Sequence, residues 1–240
     1  MQYLPFALPL FFALFLFLAF LVVLVELKIL QYAYEAIGVD RRYVFLLLLL
    51  SLLGSSVNIP VAQLPPEQMV THQVVDFFGM RYVVPAVTKY PGTIIAVNLG
   101  GAVIPAILSF YLILKHGIYL ESLIAVAVVT FVVNLMAHPV PGLGIAVPIF
   151  IPPLVTAVVA ILVSRRHTAP LAYIAGSLGT LIGADLLNLG KIQGLGAPVA
   201  SIGGAGKFDG IFLTGLIAVL LAVLVRRNRP SSGHGFPNPP

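Results

Sequence analysis

The chain has 240 residues, 60% of them hydrophobic and only 9% charged, with a net charge of +5 and no cysteine. The missing cysteines exclude disulfides, thiolate metal sites and cysteine nucleophiles. The apolar residues fall in blocks that a soluble core of this size does not need, and the basic residues sit beside those blocks, so they are expected to orient helices in a bilayer and not to bind nucleic acid.

The expected fold is all-α: one polytopic transmembrane helical bundle of about seven spans over residues 1–229, followed by a disordered tail over 230–240 that is rich in Pro, Ser and Gly. The first apolar run, 4–25, has no basic region before it and is longer than a signal-peptide core, so it reads as a retained helix, with Glu26 and Lys28 marking its exit. Further runs cover 43–62, 93–114, 123–136, 144–163, 169–189 and 208–225, near the roughly 20 residues that cross a hydrocarbon core as helix. The fourth is short and stops at His138-Pro139-Val140-Pro141-Gly142, where two prolines remove backbone donors; it reads as a broken or re-entrant span. Between the second and third runs lies the largest polar connection, 63–91, with Glu67, His72, Asp76, Arg81 and Lys89.

With seven spans, Lys28, Arg41, Arg42, Lys115, Arg165, Arg166, Arg226, Arg227 and Arg229 fall on one side, and Arg81, Lys89, Lys191 and Lys207 on the other. Cytoplasmic loops carry the excess, so the N-terminus is expected outside and the C-terminus in the cytoplasm, in a multi-pass cell-membrane protein.

That orientation puts Asn58, Asn98, Asn134, Asp185, Asn188 and Asp209 all toward the outer face, although the helices that carry them alternate in direction. Asparagine near a helix end commonly caps it or bonds a neighbouring helix. An acid inside a span costs roughly 2.5–3.5 kcal/mol at the helix centre, which makes Asp185 and Asp209 functional candidates. Asp185, in GTLIGADLLNLG, has no basic residue one turn away. Asp209 follows Gly203, Gly204 and Gly206 at a helix start, where the helix dipole or Lys207 also accounts for an acid. Were the two carboxylates to meet across the short 189–207 connection, they would share a proton as a catalytic pair. Asn58, Asn98, Asn134, Asn188, Gly204, Gly206 and Lys207 are the candidate substrate contacts, the glycines because they admit close backbone approach.

The segments AVNLGGAVIPAIL, YIAGSLGTLIGADLLNL and GAPVASIGGAGKFDGIFLTGLIAVLLA resemble a prokaryotic multi-pass membrane family catalogued as domain of unknown function 1614. This resemblance covers most of the chain and implies a membrane architecture without an activity. The chain is more loosely similar to intramembrane aspartyl proteases of the presenilin, signal-peptide-peptidase and prepilin-peptidase type, which carry one catalytic Asp on each of two neighbouring helices, the second in Gly-x-Gly-Asp. That similarity implies Asp185 and Asp209 as the dyad. Here Lys207 and Phe208 stand between Gly206 and Asp209, and Ala184 precedes Asp185 where presenilins have Tyr.

Three functions compete: an aspartyl-protease-like hydrolase acting on a membrane peptide; a small-solute or ion-coupled transporter, favoured by Asn58-Ile59-Pro60, Pro105 and the 139–144 break; and a structural or lipid-interacting protein. Membrane lipid is an expected partner in each. No cofactor or metal is expected: the sequence has no Walker loop, serine elbow or helical His pair, and His72, His116, His138, His167 and His234 are scattered.

Overall fold

A computed structural model describes residues 7–90, 92–141, 144–193, 195–204 and 210–227. Among them the chain forms seven α-helices: α1 (Ala7–Ala36), α2 (Arg41–Gly54), α3 (Ile104–His116), α4 (Tyr119–Met136), α5 (Ile151–Val163), α6 (Thr168–Thr180) and α7 (Gly210–Arg227). Four helical stretches are long and apolar enough to cross a membrane, namely Leu14–Ala36, Leu99–His116, Tyr119–Met136 and Thr168–Lys191; Ile151–Val163 and Gly210–Val225 are shorter apolar helices.

The all-α expectation fails in the connections. Seven strands form among the described residues: β1 (Asn58–Gln63), β2 (Glu67–Phe77), β3 (Met80–Tyr90), β4 (Ile94–Asn98), β5 (His138–Val140), β6 (Gly144–Ala146) and β7 (Val199–Ile202). They make a sheet of order β1-β4-β7, the β2–β3 hairpin and the small β5–β6 hairpin. β1 runs antiparallel to β4, with Asn58 opposite Asn98, and β7 runs parallel to it, with Val97 opposite Ile202. The expected second span, 43–62, is therefore helix up to Gly54 and strand from Asn58 on. α2 is only 14 residues long, roughly 21 Å. After Ser55-Ser56 the β-branched Val57, Ile59 and Val61 pack better on a pleated surface than in a helix. The same chemistry turns the start of the third span, Thr93-Ile94-Ile95-Ala96-Val97, into β4. The polar connection 63–91 becomes the long β2–β3 hairpin.

The fourth span is not broken: α4 is continuous for 18 residues, and the two prolines act only after it, where the chain turns into β5. Glu26 and Lys28 do not end the first helix. α1 continues to Ala36, since Glu, Lys, Leu and Gln are good helix formers, and the chain turns only at Gly38, whose φ is +92°. The 230–240 tail lies outside the described residues.

α6 is the axis of the bundle. Twelve of its thirteen residues are buried, and it packs against α3, α4, α5 and α7. Its contact with α7 needs small residues, because a Cβ on Gly176 would lie 2.9 Å from the Gly215 Cα. Tyr34 of α1 meets Tyr173 of α6 with ring centroids 6.2 Å apart. At one end of the bundle the helices are joined by tight turns: Lys115 donates to Gly38 O, and the His116 and His167 rings lie 5.4 Å apart. The β1-β4-β7 sheet gathers at the other end, beyond the end of α2 and before α3 and α7.

Replacing Gly176 by Val forces a side chain into the α7 backbone and is expected to destabilise the protein by about 1–3 kcal/mol. Gly190→Ala, which meets nothing within 4 Å, is the matched control. Unfolding of both variants in detergent checks this.

Candidate functional site

Two helices depart from α geometry, both at the sheet end. Leu99–Val103 forms a π-helical turn leading into α3, and Leu181–Asp185 forms another after α6, followed by a 3₁₀ segment, Leu186–Lys191. Each departure frees backbone groups that need partners. Asn98 serves the first. Its Oδ1 accepts from Gly101 N at 2.8 Å, while its Nδ2 donates to Ser55 O at 2.8 Å and to Asn58 Oδ1 at 3.0 Å. Asn188 serves the second, donating to Gly183 O at 2.9 Å, Ala184 O at 3.0 Å and Asn134 Oδ1 at 3.1 Å. The four asparagines thus form two separate pairs that hold the helix breaks in place. Both Asn98 and Asn188 are buried, and Asn188 Oδ1 has no hydrogen-bond partner among the described residues.

Asp185 is the last residue of the second π turn and is half-buried. Its Oδ2 accepts from Gly203 N at 2.7 Å. Gly203 has φ +94°, and a Cβ there would come within 2.6 Å of both Cβ and N of Ala102, so only glycine can press the turn after β7 against the first π turn. Gly203 thus lies against the first π turn while its N–H bonds the last residue of the second, and Ala102 and Leu181 of the two turns share one buried cluster.

A cavity of about 140 Å³ opens beside Asp185. Its lining includes Val199–Ile202 of β7, Gly204, and Gly144 and Ile145 of β6. Among the described residues, β7 is an edge strand of its sheet and β6 pairs with β5 alone. The cavity therefore lies where two strand edges and a carboxylate converge. Ser201, which is not among the residues the sequence nominates, lines it and donates from Oγ to Asn58 Oδ1 at 2.6 Å. Its one signal is its place in the SIGG segment, shortly before the glycine pair.

Of the nominated site residues, Asp185 and Gly204 line the cavity, whereas Asn58, Asn98, Asn134 and Asn188 do not. Asp209, Gly206 and Lys207 lie outside the described residues. Among the described residues, no group of three or more His, Asp or Glu is placed to hold a metal ion.

Residues 52–221 match a family model described as a protein of unknown function, DUF1614. The chain belongs to that family. No curated protein and no solved structure matches it. In this DUF1614 chain the matched region contains both π turns, the sheet, the Asp185 cavity and the four asparagines, and leaves out α1.

Removing the Asn98 side chain leaves Gly101 N and Ser55 O without their partner. Asn98→Ala is expected to cost about 2–3 kcal/mol. Asn58→Ala, at an exposed position, is expected to cost about 1 kcal/mol or less. Thermal and denaturant unfolding of the two variants in the same detergent tests that order.

Proposed function

We propose that this chain is a membrane-embedded hydrolase cutting extended segments of membrane peptides, with Asp185 as one catalytic carboxylate and Asp209 as the other. The observation that carries the reading is the convergence of the Asp185 carboxylate with β7, an edge strand among the described residues, at one cavity. A peptide leaving a helix in an apolar medium exposes N–H and C=O groups that must find partners, and an edge strand supplies them by strand addition. Gly203 N orients the carboxylate through Oδ2; Oδ1 accepts no hydrogen bond from the described residues.

In this reading the pair holds one proton. The ionised carboxylate takes a proton from water as the water oxygen attacks the scissile carbonyl carbon, and the protonated partner gives its proton to the carbonyl oxygen. The tetrahedral centre then collapses: its hydroxyl returns a proton to one carboxylate, the other carboxyl protonates the amide nitrogen, and the C–N bond breaks, leaving the pair with a single proton.

The positive-inside pattern supports the orientation. Arg41, Arg42, Lys115, Arg165 and Arg166 lie at the end with the tight turns, and Arg81, Lys89 and Lys191 at the sheet end, so the cavity faces the outer leaflet and the C-terminus lies in the cytoplasm. The side-chain amide nitrogens of Asn98 and Asn188 are engaged with backbone and with Asn58 and Asn134, which weighs against a transport role for these two.

The test uses a hydroxyethylene peptide isostere, which imitates the tetrahedral centre, together with labelled single-span peptides in liposomes. The isostere is expected to raise the melting temperature of the wild type but not of Asp185→Asn or Asp209→Asn, and both substitutions are expected to abolish cleavage while the fold persists. Cleavage that survives in either variant, or an isostere that stabilises all three proteins equally, rules the proposal out.

A further inference from the structure

Because α1 runs on to Ala36, Glu26 lies ten residues before the helix end, roughly 15 Å along the axis. It also falls near the middle of Leu14–Ala36, the part of α1 long and apolar enough to cross a membrane. Glu26 is exposed on the protein surface and has no ion pair or hydrogen bond among the described residues. An ionisable group at that depth is costly unless something meets it. Lys28, two residues on and roughly 200° around the helix, faces elsewhere, and its long stem can carry its charge toward the interface. The Glu26 side chain is too short for that.

Glu26 lines a groove of about 500 Å³ between α1, α2 and α7, closed at the sheet end by Gly100 and Gly101 of the first π turn. The rest of the lining is almost wholly apolar and includes Phe45 and Phe212. That volume is typical of a small-molecule site, which is mostly apolar with a few placed polar groups, and it is far too small for a membrane helix. The acid gives the occupant its sign, and aromatic faces favour a cation as well.

We propose that this groove binds a hydrophobic organic cation of small-molecule size, with Glu26 as its counter-charge. The site is distinct from the Asp185 cavity and does not depend on the hydrolase reading, since the π turn stands between them.

The probe is tetraphenylphosphonium, with tetraphenylborate as its size-matched anion, titrated against the full chain in lipid nanodiscs with empty nanodiscs subtracted. Saturable binding of the cation and none of the anion is expected. Glu26→Gln is expected to weaken cation binding by about tenfold or more. Leu52→Trp, at a groove-lining residue that is itself 60% exposed, keeps the acid and fills the groove; it is expected to do the same and decides the matter if Glu26→Gln fails to fold. Lys28→Gln and Asp185→Asn are expected to bind as the wild type does. Equal binding of the two ions, or cation binding unchanged in a folded Glu26→Gln or Leu52→Trp protein, overturns the proposal.

Discussion

Wherever this chain leaves the α-helix in apolar surroundings, it must find new partners for the backbone groups it frees, and this constraint organises the sheet end. An unpaired amide in hydrocarbon costs several kcal/mol, comparable to a large share of a domain's net stability. Asn98 and Asn188 meet that cost at the two π turns, each bonding both backbone and a second asparagine through its amide. β4, central in its sheet, has strand partners on both sides. The opposite end carries no such load. There the helices close with ordinary turns, such as Gly117 at φ +65° after α3, and the backbone groups left over face the side rich in Lys and Arg.

Asp185 belongs to the same scheme and also exceeds it. Its bond from Gly203 N satisfies a backbone donor, as an amide side chain would. An asparagine at 185 would accept that hydrogen bond without the expense of a carboxylate at this depth. The carboxylate is thus more than the fold requires, and the position has a second feature that packing alone does not explain: a cavity lined by residues of β6 and of the edge strand β7.

The helical part of the fold is legible in the sequence, because apolar runs of membrane length rarely arise outside membrane spans. The gathering of Asn58, Asn98, Asn134, Asp185 and Asn188 at one end of the bundle is legible too, because alternating helix direction brings distant sequence positions to the same end. The strands are hidden. Ile94-Ile95-Ala96-Val97 is as apolar as a helix of the same composition, and a short β-branched run carries no periodicity that distinguishes the two. Charge marks no boundary of the helix here, since α1 continues past Glu26 and Lys28 to Ala36. The pairing of Asn58 with Asn98 and of Asn134 with Asn188 is out of reach for a different reason. Each pair joins residues 40 or more apart, and only the register of β1 on β4 and the packing of α4 on α6 bring them together.

The first π turn has a part in both sites. Gly100 and Gly101 close the groove beside Glu26, and Ala102, the next residue, presses on Gly203, whose N–H holds Asp185. A regular α-helix at this point would carry no widened turn, and bulkier residues would force the walls apart: a Cβ at Gly100 would stand 2.2 Å from Ser51 O. The turn is fixed by α2 on one face, by Asn98 at its start and by Gly203 on the other face, so it acts as a thin, rigid partition. The hydrogen bonds of Asn98 hold this wall, with Glu26 lining the space on one side of it and Asp185 the space on the other.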